Sequence, residues 1–201
     1  MARHAFYKLV EGTIELDGVR MHQTKRLSPC EAARLMVSQL QLRRGERVLD
    51  VCTGLGYTAL EEARLGAVVT TVEVDGEVLS LAKQNNASKA LFNNPAIKII
   101  EGDAVEVVAL RSNVSFDAVM LDPPRFSLAG ELYSLAFYRS LYRALRPGGR
   151  LFHYTGKPGE KSGKDYRKGI KQRLLEAGFT RVEWVDGALG FKAVKTAGRL
   201  R

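Results

Sequence analysis

Five short clusters in the 201-residue chain set carboxylates beside glycine, proline or hydroxyl-bearing residues. They are Asp50-Val51-Cys52-Thr53-Gly54-Leu55-Gly56-Tyr57, Glu73-Val74-Asp75, Glu101-Gly102-Asp103-Ala104, Asp122-Pro123-Pro124-Arg125 and His153-Tyr154-Thr155-Gly156-Lys157. In the first, Gly54 and Gly56 carry no side chain, so backbone can approach a ligand closely. Glu73, 19 residues after Gly54, can hold the paired hydroxyls of a ribose. In the fourth, two prolines fix the backbone and remove amide donors. Their rigid carbonyls can hold an amino group or ring nitrogen, and Asp122 can accept a hydrogen bond from it. In the fifth, His153 or Tyr154 can take a proton or orient an acceptor. Taken alone, GLGYTA followed by Glu73 also fits a relaxed dinucleotide fingerprint.

The elements that must position these clusters are legible from periodicity. Short apolar runs at 47–51, 68–74, 96–100, 116–121, 150–154, 180–185 and 190–194 read as strands. Helical patterns separate the first six: one runs through about Leu65 after a Gly-rich loop, and the others lie over about 76–87, 104–110, 131–145 and 165–177, the last ending at Gly178. Such alternation predicts an α/β fold: one doubly wound, mostly parallel seven-stranded sheet with an antiparallel edge strand. Residues 6–23 alternate apolar and polar around Asp17-Gly18, which predicts a small N-terminal β-hairpin. Ser28-Pro29-Cys30-Glu31 then opens a helix with a capping box. The expected organisation is a hairpin appendage over 1–27 and one domain over 28–201.

Ligands of open α/β sheets bind outside the carboxyl ends of the strands, and all five clusters fall there. A nicotinamide enzyme usually adds a substrate domain, for which this length leaves little room. It also has no need of an acid just before the glycines, another after the third strand, and Asp-Pro-Pro after the fourth.

Over about 45–195 the chain resembles the class I S-adenosylmethionine-dependent methyltransferases. VLDVCTGLGYTAL, TVEVDGEVLSLAKQN, IIEGDA, FDAVMLDPPRF and LRPGGRLFHY look like their five motifs in order. With GTIELDGVRMHQTKR included, the chain looks like a group of predicted archaeal methyltransferases, and IELDGVRMHQ is similar to the N-terminal hairpin of spermidine synthases. The resemblance implies S-adenosylmethionine as cofactor, with Asp50 serving its methionine amino group and Gly54 and Gly56 lying against it. It implies Glu73 on the ribose and Asp103 with Ala104 beside the adenine, with Cys52, Thr53, Tyr57 and Val74 completing the set. Cys52 departs from the usual glycine of the first motif, so a slightly wider loop is expected. Asp122, Pro123, Pro124, Arg125 and His153 are the expected catalytic set. Related enzymes acting on exocyclic amines usually carry an aromatic residue where Arg125 stands. The fourth motif is also similar to that of some cytosine C5 methyltransferases. They bear a cysteine nucleophile at the fifth strand, where this chain has His153-Tyr154, so that chemistry is discounted.

Composition narrows the class and points to a partner. The chain is 45% hydrophobic and 26% charged, which excludes extended disorder. No apolar run approaches 18 residues, the N-terminus lacks a secretory pattern, and two cysteines are too few for a disulfide framework. A reduced, cytoplasmic protein without a metal site is expected. Residues 1–138 hold 15 Lys and Arg against 17 Asp and Glu, whereas residues 139–201 hold 16 against 5. That concentration of positive charge favours RNA as acceptor. The alternatives are a protein side chain, a small metabolite, or aminopropyl transfer to a polyamine. A polycationic acceptor wants carboxylates in its groove, which the basic last third disfavours. The polar stretch 155–166 is expected to be a flap over the site.

Overall fold

Tyr7–Val10 (β1) and Thr13–Leu16 (β2) pair antiparallel, and Glu11 and Gly12 close the two-residue turn between them. Both turn residues have positive φ, 47° and 77°, the twist that a tight hairpin requires. A third strand, β3 (Val19–Arg20), pairs with β2, so the expected hairpin is a three-stranded antiparallel sheet. Alternation hid the first turn because glutamate is a poor marker for left-handed backbone. The computed structural model describes residues 7–16, 18–21, 27–110, 116–156 and 166–197. Asp17 and most of the expected 155–166 flap lie outside them.

Ser28 opens α1 (Pro29–Ser38) through the expected capping box. The Glu31 amide donates to Ser28 Oγ at 3.3 Å, and the Ser28 amide donates to the Glu31 carboxylate at 2.8 Å. From there strand and helix alternate as β4 (Arg47–Val51), α2 (Tyr57–Arg64), β5 (Val68–Glu73), α3 (Gly76–Gln84), β6 (Ile97–Glu101) and α4 (Ala104–Ala109). They continue as β7 (Phe116–Leu121), α5 (Leu135–Ala144), β8 (Leu145–Tyr154), α6 (Arg167–Glu176), β9 (Thr180–Val185) and β10 (Gly190–Val194). The sheet order is β6-β5-β4-β7-β8-β10-β9. The first five of these are parallel, β10 runs antiparallel to both neighbours, and β9 lies outermost, which forms the antiparallel edge.

The central strands are buried on both faces, as their continuous apolar runs require. On one face Leu49, Val51, Val119 and Leu121 pack under α4, α5 and α6. On the other, Val48, Ala118, Met120 and Phe152 pack under α1 and α2. The small sheet docks through Ile14, which is buried with Ala33, Leu55, Tyr57 and Val78.

Further elements differ from the sequence reading: the helix expected over 76–87 ends as α3 at Gln84, and a 3-10 helix, Asn86–Leu91, follows it. The helix expected over 131–145 is a 3-10 turn, Gly130–Tyr133, followed by α5, because Ser134 Oγ accepts from the Phe137 amide and restarts the helix. β8 begins at Leu145, five residues early, with a register shift before Arg150 that absorbs Pro147-Gly148-Gly149. Among the described residues no helix is long and apolar enough to cross a membrane.

Candidate active site

The order β5-β4-β7 reverses chain direction of travel between β4 and β7, and the crevice there is where such sheets receive ligands. Asp50 is the penultimate residue of β4 and Asp122 follows β7 directly. Parallel register sets Asp50 opposite Thr71 on β5. Thr71 Oγ1 donates to Asp50 Oδ1 at 2.5 Å, and the Thr58 hydroxyl also supports the carboxylate. Asp50 is 0% exposed, and its Oδ2 has no partner among the described residues. Burial raises its pKa to about 6 against the pull of both hydroxyls.

The loop from Cys52 to Gly56 turns sharply over the end of β4. The amides of Cys52 and Thr53 both donate to the Val72 carbonyl, at 3.0 and 3.1 Å. Cys52 has φ 72°, so it adopts the left-handed backbone that glycine takes without strain. Burial, then the surrounding Glu73, Asp122 and Asp50 carboxylates, pushes the Cys52 thiol pKa up. Gly54 has φ 53°, and a Cβ there would meet no atom within 4 Å, so this stretch of backbone faces open space.

Glu73 ends β5 and turns back over the loop. It accepts from the Gly54 amide at 2.9 Å, the Val74 amide at 3.0 Å and the Asp75 amide at 3.2 Å. Burial nevertheless raises its pKa. Val74 beside it is an apolar side chain left 67% exposed. Asp103 caps α4, accepting from the Val105 amide at 2.6 Å, with Ala104 buried behind it.

A pocket opens between α1 and the sheet. Its lining includes Asp122, Thr53, Tyr57, Thr58, Tyr154 and Met36. Burial, then the neighbouring Asp50, raises the Asp122 pKa to about 7. Pro123 is buried and Pro124 half-buried, and the Tyr133 hydroxyl donates to the Pro124 carbonyl at 2.9 Å. Arg125 is exposed and is not among the lining residues, although its charge acts on the Tyr154 hydroxyl. Tyr57 ties the small sheet to the site, its hydroxyl donating to the Gly12 carbonyl at 2.7 Å. Thr58, Thr71 and the α1 residues were missed in the sequence. Only the register and the packing of α1 bring them here.

His153 does not belong to this pocket. It is 0% exposed and faces the opposite side of the sheet, with Nε2 3.0 Å from the Tyr138 hydroxyl and Nδ1 3.3 Å from the Leu121 carbonyl. Burial lowers its pKa to about 3, so it stays neutral. The alternation of β8 explains the correction: Tyr154, the next residue, is the one that reaches the pocket. Replacing His153 with Phe is therefore expected to leave the pH profile of turnover unchanged. It should cost about 1–3 kcal/mol in thermal unfolding, since the Tyr138 hydroxyl loses its partner.

Comparison with known proteins follows the same lines. Residues 48–149 match a family model described as a methyltransferase domain. Uncharacterized protein MJ1233 of Methanocaldococcus jannaschii is 50% identical over 199 residues, 97% of this chain and 69% of that one. A putative ribosomal RNA large subunit methyltransferase, MJ1649, of the same organism is 33% identical over 141 residues, 67% of this chain and 35% of that one. Among solved structures, a spermidine synthase in complex with the transition-state analogue AdoDATO superposes with a TM-score of 0.76 at 20% identity. That match covers 92% of this chain and 66% of that one, and it speaks to the fold. The chain thus spans about a third of the ribosomal RNA relative and about two thirds of the other two proteins.

Proposed function

We propose that this chain, which belongs to the class I S-adenosylmethionine-dependent methyltransferases, transfers the methyl group to a nitrogen on RNA. The observation that carries the nitrogen is Asp122, a carboxylate that no cation pairs among the described residues, set at the strand end beside two prolines. S-adenosylmethionine supplies an electrophilic methyl group on a sulfonium, so the protein's work is to position the acceptor and exclude water. The residues present suit that cofactor. Gly54 offers backbone with open space before it, Asp50 keeps one carboxylate oxygen unpartnered, Glu73 stands at the end of β5, and Val74 offers an apolar face for a base.

Asp122 holds the acceptor nitrogen through its N–H and leaves the lone pair free to attack. With a pKa near 7 it can receive the proton that the nitrogen sheds once methylated. The Pro124 carbonyl, fixed by Tyr133, limits how that nitrogen can turn. RNA is supported by the position of the positive charge. Arg125 ends the acceptor loop, and α6, which starts with Arg167 and Lys168, is joined to that loop by the Phe126–Tyr166 ring stack.

Aminopropyl transfer is the second reading. The resemblance to the spermidine synthase fold favours it, as does the Asp122 carboxylate in the pocket lining. Methyl-labelled S-adenosylmethionine incubated with total RNA or total protein, and decarboxylated S-adenosylmethionine incubated in parallel with putrescine, separate the readings. Label that ribonuclease removes is the expected result. Label in protein alone, or product formed only from decarboxylated S-adenosylmethionine and putrescine, would overturn the RNA reading.

A further inference from the structure

A column of four rings passes through the acceptor loop at Phe126, and its outer members take no part in the transfer described above. Ring centres lie 5.0 Å apart for His153 and Tyr133, 5.3 Å for Tyr133 and Phe126, and 5.9 Å for Phe126 and Tyr166. The column begins at fully buried His153 and ends at the surface, where Phe126 is 43% and Tyr166 38% exposed. Phe126 meets Tyr133 nearly edge-on at 75°, whereas Phe126 and Tyr166 are close to parallel at 19°. Tyr133 also holds the Pro124 carbonyl, so the column is fastened to the loop that follows Asp122.

Large aromatic rings left side by side at a surface call for a partner. The charges around these two select it. Arg125 precedes Phe126, Lys168 lies two residues after Tyr166 and Lys171 one helical turn further on, all exposed, while the Arg167 guanidinium sits over the Trp184 ring, 5.2 Å from its centre. No carboxylate occurs between Tyr166 and Leu175. A protein-binding patch would shed lysine from its centre. A site for phosphate alone would have no use for flat apolar rings. Rings interleaved with cations suit unpaired nucleotides, whose bases stack while their phosphates pair with the cations.

We infer that Phe126 and Tyr166 form a stacking platform for an unpaired base next to the acceptor nucleotide, with Arg125 and Lys168 taking the adjoining phosphates. This inference rests on the RNA reading and extends it to single-stranded substrate. The two rings are already aligned and braced from below by Tyr133, so a base adds to a preformed stack at small ordering cost.

The test is fluorescence anisotropy of a labelled single-stranded RNA dodecamer and of its duplex, titrated with the full chain. The wild-type protein should bind the single strand more tightly than the duplex. Phe126→Ala and Tyr166→Ala should each weaken single-strand binding by about tenfold, with the salt dependence of binding unchanged. Tyr166→Phe should bind as wild type, and Lys168→Ala should lower the salt slope by about one instead. Retained S-adenosylmethionine affinity reports that each variant is folded. Tyr166→Leu, which keeps bulk without a flat face, decides the matter should the alanine variant fail to fold, and it should weaken binding likewise. Ring variants that bind the single strand as wild type would overturn the stacking platform and leave the RNA reading standing. A wild-type protein that binds neither RNA would overturn both.

Discussion

Asp122→Asn should lower kcat by roughly 10²- to 10⁴-fold and leave the affinity for S-adenosylmethionine within about threefold of wild type. The substitution keeps the shape at the end of β7 and removes only the charge that holds and relieves the acceptor nitrogen. Calorimetric titration with the cofactor, alongside labelled methyl transfer, separates the two effects. Equal loss of binding and turnover would show that Asp122 supports the cofactor instead. The pH profile gives an independent reading. Because the wild-type carboxyl has its pKa raised to about 7, kcat/KM should climb about tenfold per pH unit below that value and level off above it. The variant should lose this limb. Stability moves the other way. A carboxyl whose folded pKa exceeds its unfolded value contributes stability at low pH, and that contribution fades as pH rises through about 7. The asparagine variant should therefore unfold at a higher temperature than wild type at pH 8, and by much less at pH 5.

The same one-carbon change at two neighbouring glycines should produce opposite failures. A Cβ on Gly56 would fall 2.5 Å from Leu91 Cδ2 and 2.8 Å from Cδ1, so the buried Leu91 side chain would have to shift within the core. With φ at 75° as well, Gly56→Ala should cost about 3 kcal/mol and lower Tm by several degrees. A Cβ on Gly54 meets nothing within the protein, so Gly54→Ala should cost only the left-handed backbone strain, about 1–2 kcal/mol. It should nonetheless weaken S-adenosylmethionine binding at least about tenfold, because the open space it enters is where the cofactor must lie. Thermal melts with and without cofactor check both. A Gly54→Ala protein that binds the cofactor as tightly as wild type would place the ligand elsewhere along the loop.

The alternation of strand and helix, the capping box at Ser28 and the strands 47–51, 116–121, 180–185 and 190–194 were legible because each follows from local periodicity or local side-chain chemistry. The gathering of carboxylates at one edge was legible for the same reason. Clusters that close parallel strands must share an end of the sheet, whatever the order of those strands. What lay beyond the sequence were relations between residues far apart in the chain. Cys52 reads as an obstacle in its loop until the backbone shows it taking the glycine conformation. His153 and Tyr154 are chemically equivalent candidates in the sequence, yet strand pleating sends one into the core beside Tyr138 and the other into the pocket.

The sequence by itself determined the α/β architecture and which strand ends carry chemistry, since periodicity and residue type act over a few neighbours. Only the tertiary structure decided that Thr71 supports Asp50, that α1 roofs the Asp122 pocket and that Tyr166 completes the column begun at His153. Those contacts depend on strand register and helix docking, which are fixed by the burial of the whole sheet and not by any segment alone.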